Sequence, residues 1–147
     1  MRASIFSRKT PPPIVCRLSG ASTSVPNSTN TFLSFTSVDY DPYGLAELGA
    51  NQIRVRRPGL YRVSALVVAP SGVALSGGVH GVVVVANSNA ADIRAASYGN
   101  TNAYCSPYGL TRLVAGDQIR TIAFQSSGSS QNYVAQYFMA VEYIEGT

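Results

Sequence analysis

The chain has 147 residues, 46% of them hydrophobic and only 12% charged, with a formal net charge of +4 at pH 7. One domain of this length buries roughly 68–70% of its unfolded surface, so it needs neither disulfide nor metal to hold a core. A membrane-spanning helix is excluded, because the longest strongly apolar run, residues 82–86, is far short of the ~20 residues that cross a bilayer.

Residues 1–27 differ from the rest. MRASIFSRKTPPP begins with charge but lacks the apolar stretch of a secretory signal. The expectation is therefore a soluble protein made in a cytosol, with Cys16 and Cys105 as unpaired thiols whose spacing has no C-x-x-C character. Arg2, Arg8, Lys9 and Arg17 account for the whole charge excess, since the seven later cations balance the seven acids. Pro11, Pro12 and Pro13 form a stiff polyproline spacer, and residues 19–30 are rich in Ser, Thr and Asn, as linkers are. These features predict an extended basic arm over residues 1–27 that is ordered by an acidic partner, with the folded domain over 28–147.

From Phe32 onward the pattern is β. In residues 53–56, Ile53 and Val55 alternate with Arg54 and Arg56, the period of a half-buried strand. Pro58-Gly59 interrupts, and residues 60–68 resume with Tyr61, Val63, Ala65 and Val67 on one face. Further strands are predicted at 79–86, 93–98, 108–114 and 119–124, separated by loops rich in Asn, Ser and Gly. Residues 45–51 allow a single helical turn and no more. Residues 133–144 are apolar on both faces, and as one strand they would span roughly 40 Å. Two apolar faces over that length exceed one sandwich core, so Tyr133, Tyr137, Phe138, Met139, Val141 and Tyr143 are expected to line a contact between subunits.

Chemistry is sparse. His80 is the single histidine, no nucleophile motif of the G-x-S-x-G type occurs, and no Cys/His cluster offers a metal site. Asp39 and Asp41 read as turn formers first and as a calcium-ligand pair second. Arg54, Arg56, Arg57 and Arg62 cluster, but the domain is neutral and lacks the basic and aromatic stripe of a nucleic-acid reader. These arginines are expected to meet acids across subunits. No enzyme activity, cofactor, metal, membrane or nucleic-acid partner is expected.

Several short elements occur in a telling order: Phe35, the loop 39–51, Ile53–Val55, Pro58-Gly59-Leu60-Tyr61, Leu113-Val114-Ala115-Gly116-Asp117-Gln118-Ile119, and the looser Phe138-Met139-Ala140-Val141. In this order and spacing they resemble the C1q/TNF-like jelly roll over about residues 32–144. Ala140 stands where that family has glycine. The resemblance implies an all-β jelly-roll β-sandwich that forms homotrimers and binds or decorates rather than catalyses. Within it, Gly59 and Gly116 can take positive φ, Asp117 can cap its turn, and Tyr61 can bury its ring while its hydroxyl finds a partner. With neither a secretory signal nor a Gly-X-Y stalk, the expected role is a structural virion protein of a bacteriophage. It would be a homotrimeric capsid decoration or minor capsid protein on the capsid exterior, with residues 1–27 anchored to a major capsid protein or another virion scaffold. The alternative is the tip of a tail or head fibre, gripping a host-surface glycan or protein through loops 98–108 and 126–133.

Overall fold

Alternating apolar and polar residues fold here into short antiparallel strands, in a computed structural model that describes residues 13–20, 22–68, 79–86, 90–98, 104–133 and 137–146, with backbone alone for 79–98 and 104 within these. In chain order the strands are β1 (Val15–Gly20), β2 (Thr23–Val25), β3 (Thr31–Phe32), β4 (Ser37–Tyr40), β5 (Ala46–Glu47), β6 (Gln52–Arg54) and β7 (Gly59–Val68). They continue as β8 (Val79–Ala86), β9 (Ala90–Tyr98), β10 (Tyr104–Cys105), β11 (Tyr108–Leu113), β12 (Gln118–Gln125), β13 (Gln131–Tyr133) and β14 (Tyr137–Glu145). The helical turn expected in 45–51 is a 3-10 turn at Leu48–Ala50.

Two sheets face each other. The first runs β4-β1-β14-β7, with β10 and β11 both pairing β7; the second runs β5-β6-β12-β8-β9, with β3 also on β12. A small third ladder joins β13 to β2. Cys16, Leu18, Tyr61, Val63, Val67, Met139 and Val141 project inward from the first sheet to meet Ile53, Ile119 and Ala123 of the second. The strict alternation of burial along β7 and β12 reflects this geometry, one face to the core and one away from it.

The turn between β11 and β12 forms as the sequence implies. Gly116 has φ +98°, a backbone that only glycine adopts without strain. Asp117 accepts the Val114 amide at 2.9 Å on a carboxylate oxygen, and Val55 pairs with both turn residues at 2.8 Å. Tyr61 is likewise buried, with its hydroxyl donated to the Arg57 carbonyl at 2.6 Å. Gly59 differs from expectation: its φ is not positive. It is small because a Cβ there would lie 2.5 Å from the Tyr143 ring and from the Glu145 carbonyl oxygen.

One expectation about the start of the chain is corrected. Val15–Gly20 and Thr23–Val25 are strands, not arm. β1 lies between β14 and β4, and Cys16 and Leu18 are fully buried, because Val15–Gly20 alternates inward and outward like any interior strand. The sandwich therefore starts at about Ile14, whose carbonyl accepts the Tyr143 amide at 2.9 Å. In the run 133–144, Tyr133 pairs into the small ladder with β2 and Tyr137–Glu145 crosses the first sheet, with 134–136 between them outside the described residues.

Burial pushes the Cys16 thiol up to about 12, with the Asp41 charge adding to the effect. The folded thiol keeps its proton where the unfolded one, with its ordinary value of 9.0, loses it. Stability present below about pH 9 should therefore fall as pH rises from there toward 12, by at most ~1.4 kcal/mol per pH unit from this group. Tyr61, Tyr133 and Tyr137, raised chiefly by burial, add in the same direction from 10.0 upward. Two measurements check this. Urea midpoints should drop between about pH 8 and pH 11, and peptide mapping after iodoacetamide should find Cys16 alkylated only in unfolded protein. Rapid native alkylation would show that the strand opens.

Candidate assembly face

The outward face of the first sheet carries apolar side chains that the chain's own core does not take. Its rows follow the strand register. Leu110, Arg62, Glu142 and Val15 form one row, Tyr108, Ser64, Ala140 and Arg17 the next, and Leu66, Phe138 and Ser19 the third. Tyr108 is 61% exposed and Leu110 54%, while Leu66 and Phe138 are half-buried. Ser64 and Ala140 are small, so the middle of the face is low and its rim is built from larger side chains.

Charge on this face is paired in place. Arg62 donates to Glu142 at 2.6 Å and to the Tyr108 hydroxyl at 3.1 Å. Arg17 donates to Asp39 at 3.1 Å, lies 4.2 Å above the Phe138 ring, and shares Asp39 with the Ser19 hydroxyl at 2.6 Å. Arg112 and Glu145 are 4.0 Å apart. A surface whose ions already have partners can be covered without stranding a charge, and tyrosine and arginine are residue types that interface centres favour. At one end, Arg17, Ser19, Ser37, Asp39, Leu66 and Phe138 edge a pocket of about 420 Å³.

The residues expected from sequence divide between the core and the surface. Tyr133, Tyr137, Met139 and Val141 are each at most 1% exposed and fill the core of their own chain, so they cannot present themselves to a neighbour. Tyr143 points the same way at the sheet's end, edge-on to Tyr61 at 5.3 Å and under Arg57 at 4.8 Å. Phe138 alone of the set faces outward. The period of two explains the division: odd positions of β14 turn inward and even positions outward. Tyr108 and Leu110, which sequence reasoning missed, are visible there only as the outward members of an ordinary alternating strand.

Three of the four clustered arginines have polar partners within the chain. Arg54 pairs with Glu47 at 2.6 Å, Arg62 with Glu142, and Arg56 with the Gly44 carbonyl at 3.0 Å. The Arg54 contact, and the Gln52 amide that also binds Glu47, hold the Glu47 carboxyl below its usual range. Asp41 accepts the Leu45 and Ala46 amides at 2.9 and 2.8 Å, so it forms the turn, while Asp39 accepts from Arg17 and Ser19. Arg17 belongs to β1 and is turned to Asp39, while Pro13 is exposed just ahead of the sandwich. Arg2, Arg8, Lys9, Pro11 and Pro12 lie outside the described residues, as does the side chain of His80. Among the described residues no cluster of three His, Cys, Asp or Glu side chains could hold a metal, and no helix is long and apolar enough to cross a membrane.

No protein-family model matches the sequence, and no curated protein matches it. Solved structures do. The globular domain of zebrafish complement 1qA superposes with a TM-score of 0.69 at 8% identity, covering 92% of this chain and 100% of that one. The Eiger TNF of S. frugiperda gives 0.65 at 11%, over 92% and 95% of the two chains. The vertex protein P5 of phage PRD1 gives 0.67 at 15%, over 89% and 96%. Identities this low speak for fold alone, and on that point they agree with the strand order: the chain is a C1q/TNF-like jelly roll.

Proposed function

We propose that this jelly roll is a non-enzymatic structural protein of a bacteriophage particle, a homotrimer that decorates the capsid exterior. The observation that carries the reading is the outward face of β4-β1-β14-β7-β11, apolar at Leu66, Phe138, Tyr108 and Leu110 and paired in its charges. The fold shared with a phage vertex protein supports a place on a virion. Residues 1–12, rather than 1–27, are then the anchoring arm, with Arg2, Arg8 and Lys9 directed to acidic groups on a capsid protein or other scaffold.

Light scattering should give the mass of three 15.5 kDa chains. Phe138→Asp with Leu66→Asp should yield folded monomers, because both side chains lie outside the core. A wild-type chain that stays monomeric at micromolar concentration overturns the trimer. Mass spectrometry of purified particles tests the rest: many copies per particle fit a decoration protein, and none removes the virion reading. A vertex position in the PRD1 relative favours one variant, a host-binding tip, which a handful of copies would mark.

A further inference from the structure

Away from the sheet face, at the end of the sandwich where the chain enters β1, lies a second hollow. Ile14, Tyr43, Leu45 and Tyr61 line it, and Arg56 and Arg57 stand at its rim, enclosing about 230 Å³. Its walls are apolar: Leu45 and Tyr61 are almost fully buried beneath it. The two guanidinium groups are exposed, and neither forms an ion pair among the described residues. Arg56 is held by one N–H to the Gly44 carbonyl at 3.0 Å. Arg57 lies 4.8 Å from the centroid of the Tyr143 ring, a cation–π contact that gives its N–H groups no carboxylate or carbonyl acceptor.

An apolar hollow capped by two cations is complementary to an apolar group flanked by negative charge. The volume is below the ~300–1,000 Å³ of ordinary small-molecule pockets, which suits a single anchoring side chain better than a whole ligand or a long acyl tail. The chain's own residues 1–13 do not fit this requirement, because their charges, Arg2, Arg8 and Lys9, are all positive. The geometry points to a peptide-docking site. Its occupant is an acidic segment of a partner protein, with one large apolar side chain seated between Ile14, Leu45 and Tyr61 and its carboxylates on Arg56 and Arg57. This goes beyond the assembly reading, since it uses neither the outward sheet face nor the trimer.

The test is titration of the full-length, isotope-labelled protein with three blocked probes: a peptide of alternating Asp and Leu, the same peptide with Lys for Asp, and octanoate. The acidic peptide is expected to shift the Ile14, Leu45, Tyr43 and Arg56 signals at submillimolar to millimolar concentration, and the Lys peptide to leave them in place. Arg56→Glu should weaken the acidic peptide at least tenfold with its spectrum otherwise native, and Arg57→Glu gives an independent second variant. The proposal is overturned by no shift up to millimolar peptide, by equal shifts from the Lys peptide, or by undiminished binding to both variants. Octanoate binding more tightly than the peptide overturns it in favour of a fatty-acid site.

Discussion

A chain lacking residues 1–27 is expected not to fold, whereas one lacking residues 1–12 keeps the native sandwich. The longer deletion removes β1 from between β14 and β4, and with it Cys16, Leu18 and Val25, none of which has any exposed surface. Burying one leucine is worth ~2–5 kcal/mol by truncation, and here a whole interior strand with its hydrogen bonds goes too. That loss exceeds much of the ~5–15 kcal/mol that stabilises a domain. It also opens two strand edges to intermolecular pairing. The shorter deletion stops ahead of Ile14, whose carbonyl still receives the Tyr143 amide. Circular dichroism and NMR dispersion check the pair, and a folded, soluble 28–147 fragment would refute the placement of β1. Co-sedimentation with particles then reads the arm. If residues 1–12 anchor the trimer, their deletion abolishes attachment while the trimer persists, and reversing Arg8 and Lys9 makes attachment weaker and more salt-dependent.

Much of the fold was legible because it rests on local pattern. The alternation in Gly59–Val68 and Gln118–Gln125 predicts strands within a residue or two of their observed ends, and Gly116-Asp117 announces its turn through the special backbone that glycine permits. The start of the sandwich was harder to see. Val15–Gly20 carries the same period of two, but it is short and sits between a proline run and a Ser/Thr-rich stretch, and both imitate a linker. What sequence could not show is which residues meet across strands. Arg62 and Glu142 are 80 positions apart and become neighbours only through the register of β7 with β14. The same register decides that Tyr137 and Val141 serve the core while Phe138 serves the surface, a distinction invisible in a run that is apolar at nearly every position. The hollow under Arg56 and Arg57 was out of reach for a related reason, since its walls come from three separate stretches of chain.

Gly20→Ala should destabilise the protein by about 3 kcal/mol, against the usual gain of ~0.5–1 kcal/mol when alanine replaces a strand glycine. Gly20 ends β1 directly opposite Tyr137 in the register. A Cβ on Gly20 would fall against the Ser34 carbonyl oxygen and into the Tyr137 ring, 2.6 Å from Cζ. The ring cannot simply swing aside. Its hydroxyl donates to the Ser34 carbonyl at 2.6 Å and accepts from the Thr23 hydroxyl at 2.7 Å, while the Thr23 oxygen receives the Ser34 amide at 2.9 Å. Phe35 stands edge-on to the ring at 5.6 Å. Moving the ring breaks hydrogen bonds in a largely buried place, each costing ~1–3 kcal/mol if left unmade. For a domain of this size the expected drop in Tm is roughly 6–12 °C. Gly49, which has nothing within 4 Å of a Cβ, is the control, and Gly49→Ala should leave Tm nearly unchanged. Adding Tyr137→Leu to Gly20→Ala should cost less than the two changes separately, by about 1 kcal/mol or more, because the shorter side chain vacates the space the new methyl needs. If Gly20→Ala raises Tm, or the two changes add, the close packing of β1 against Tyr137 is not what requires glycine at this position.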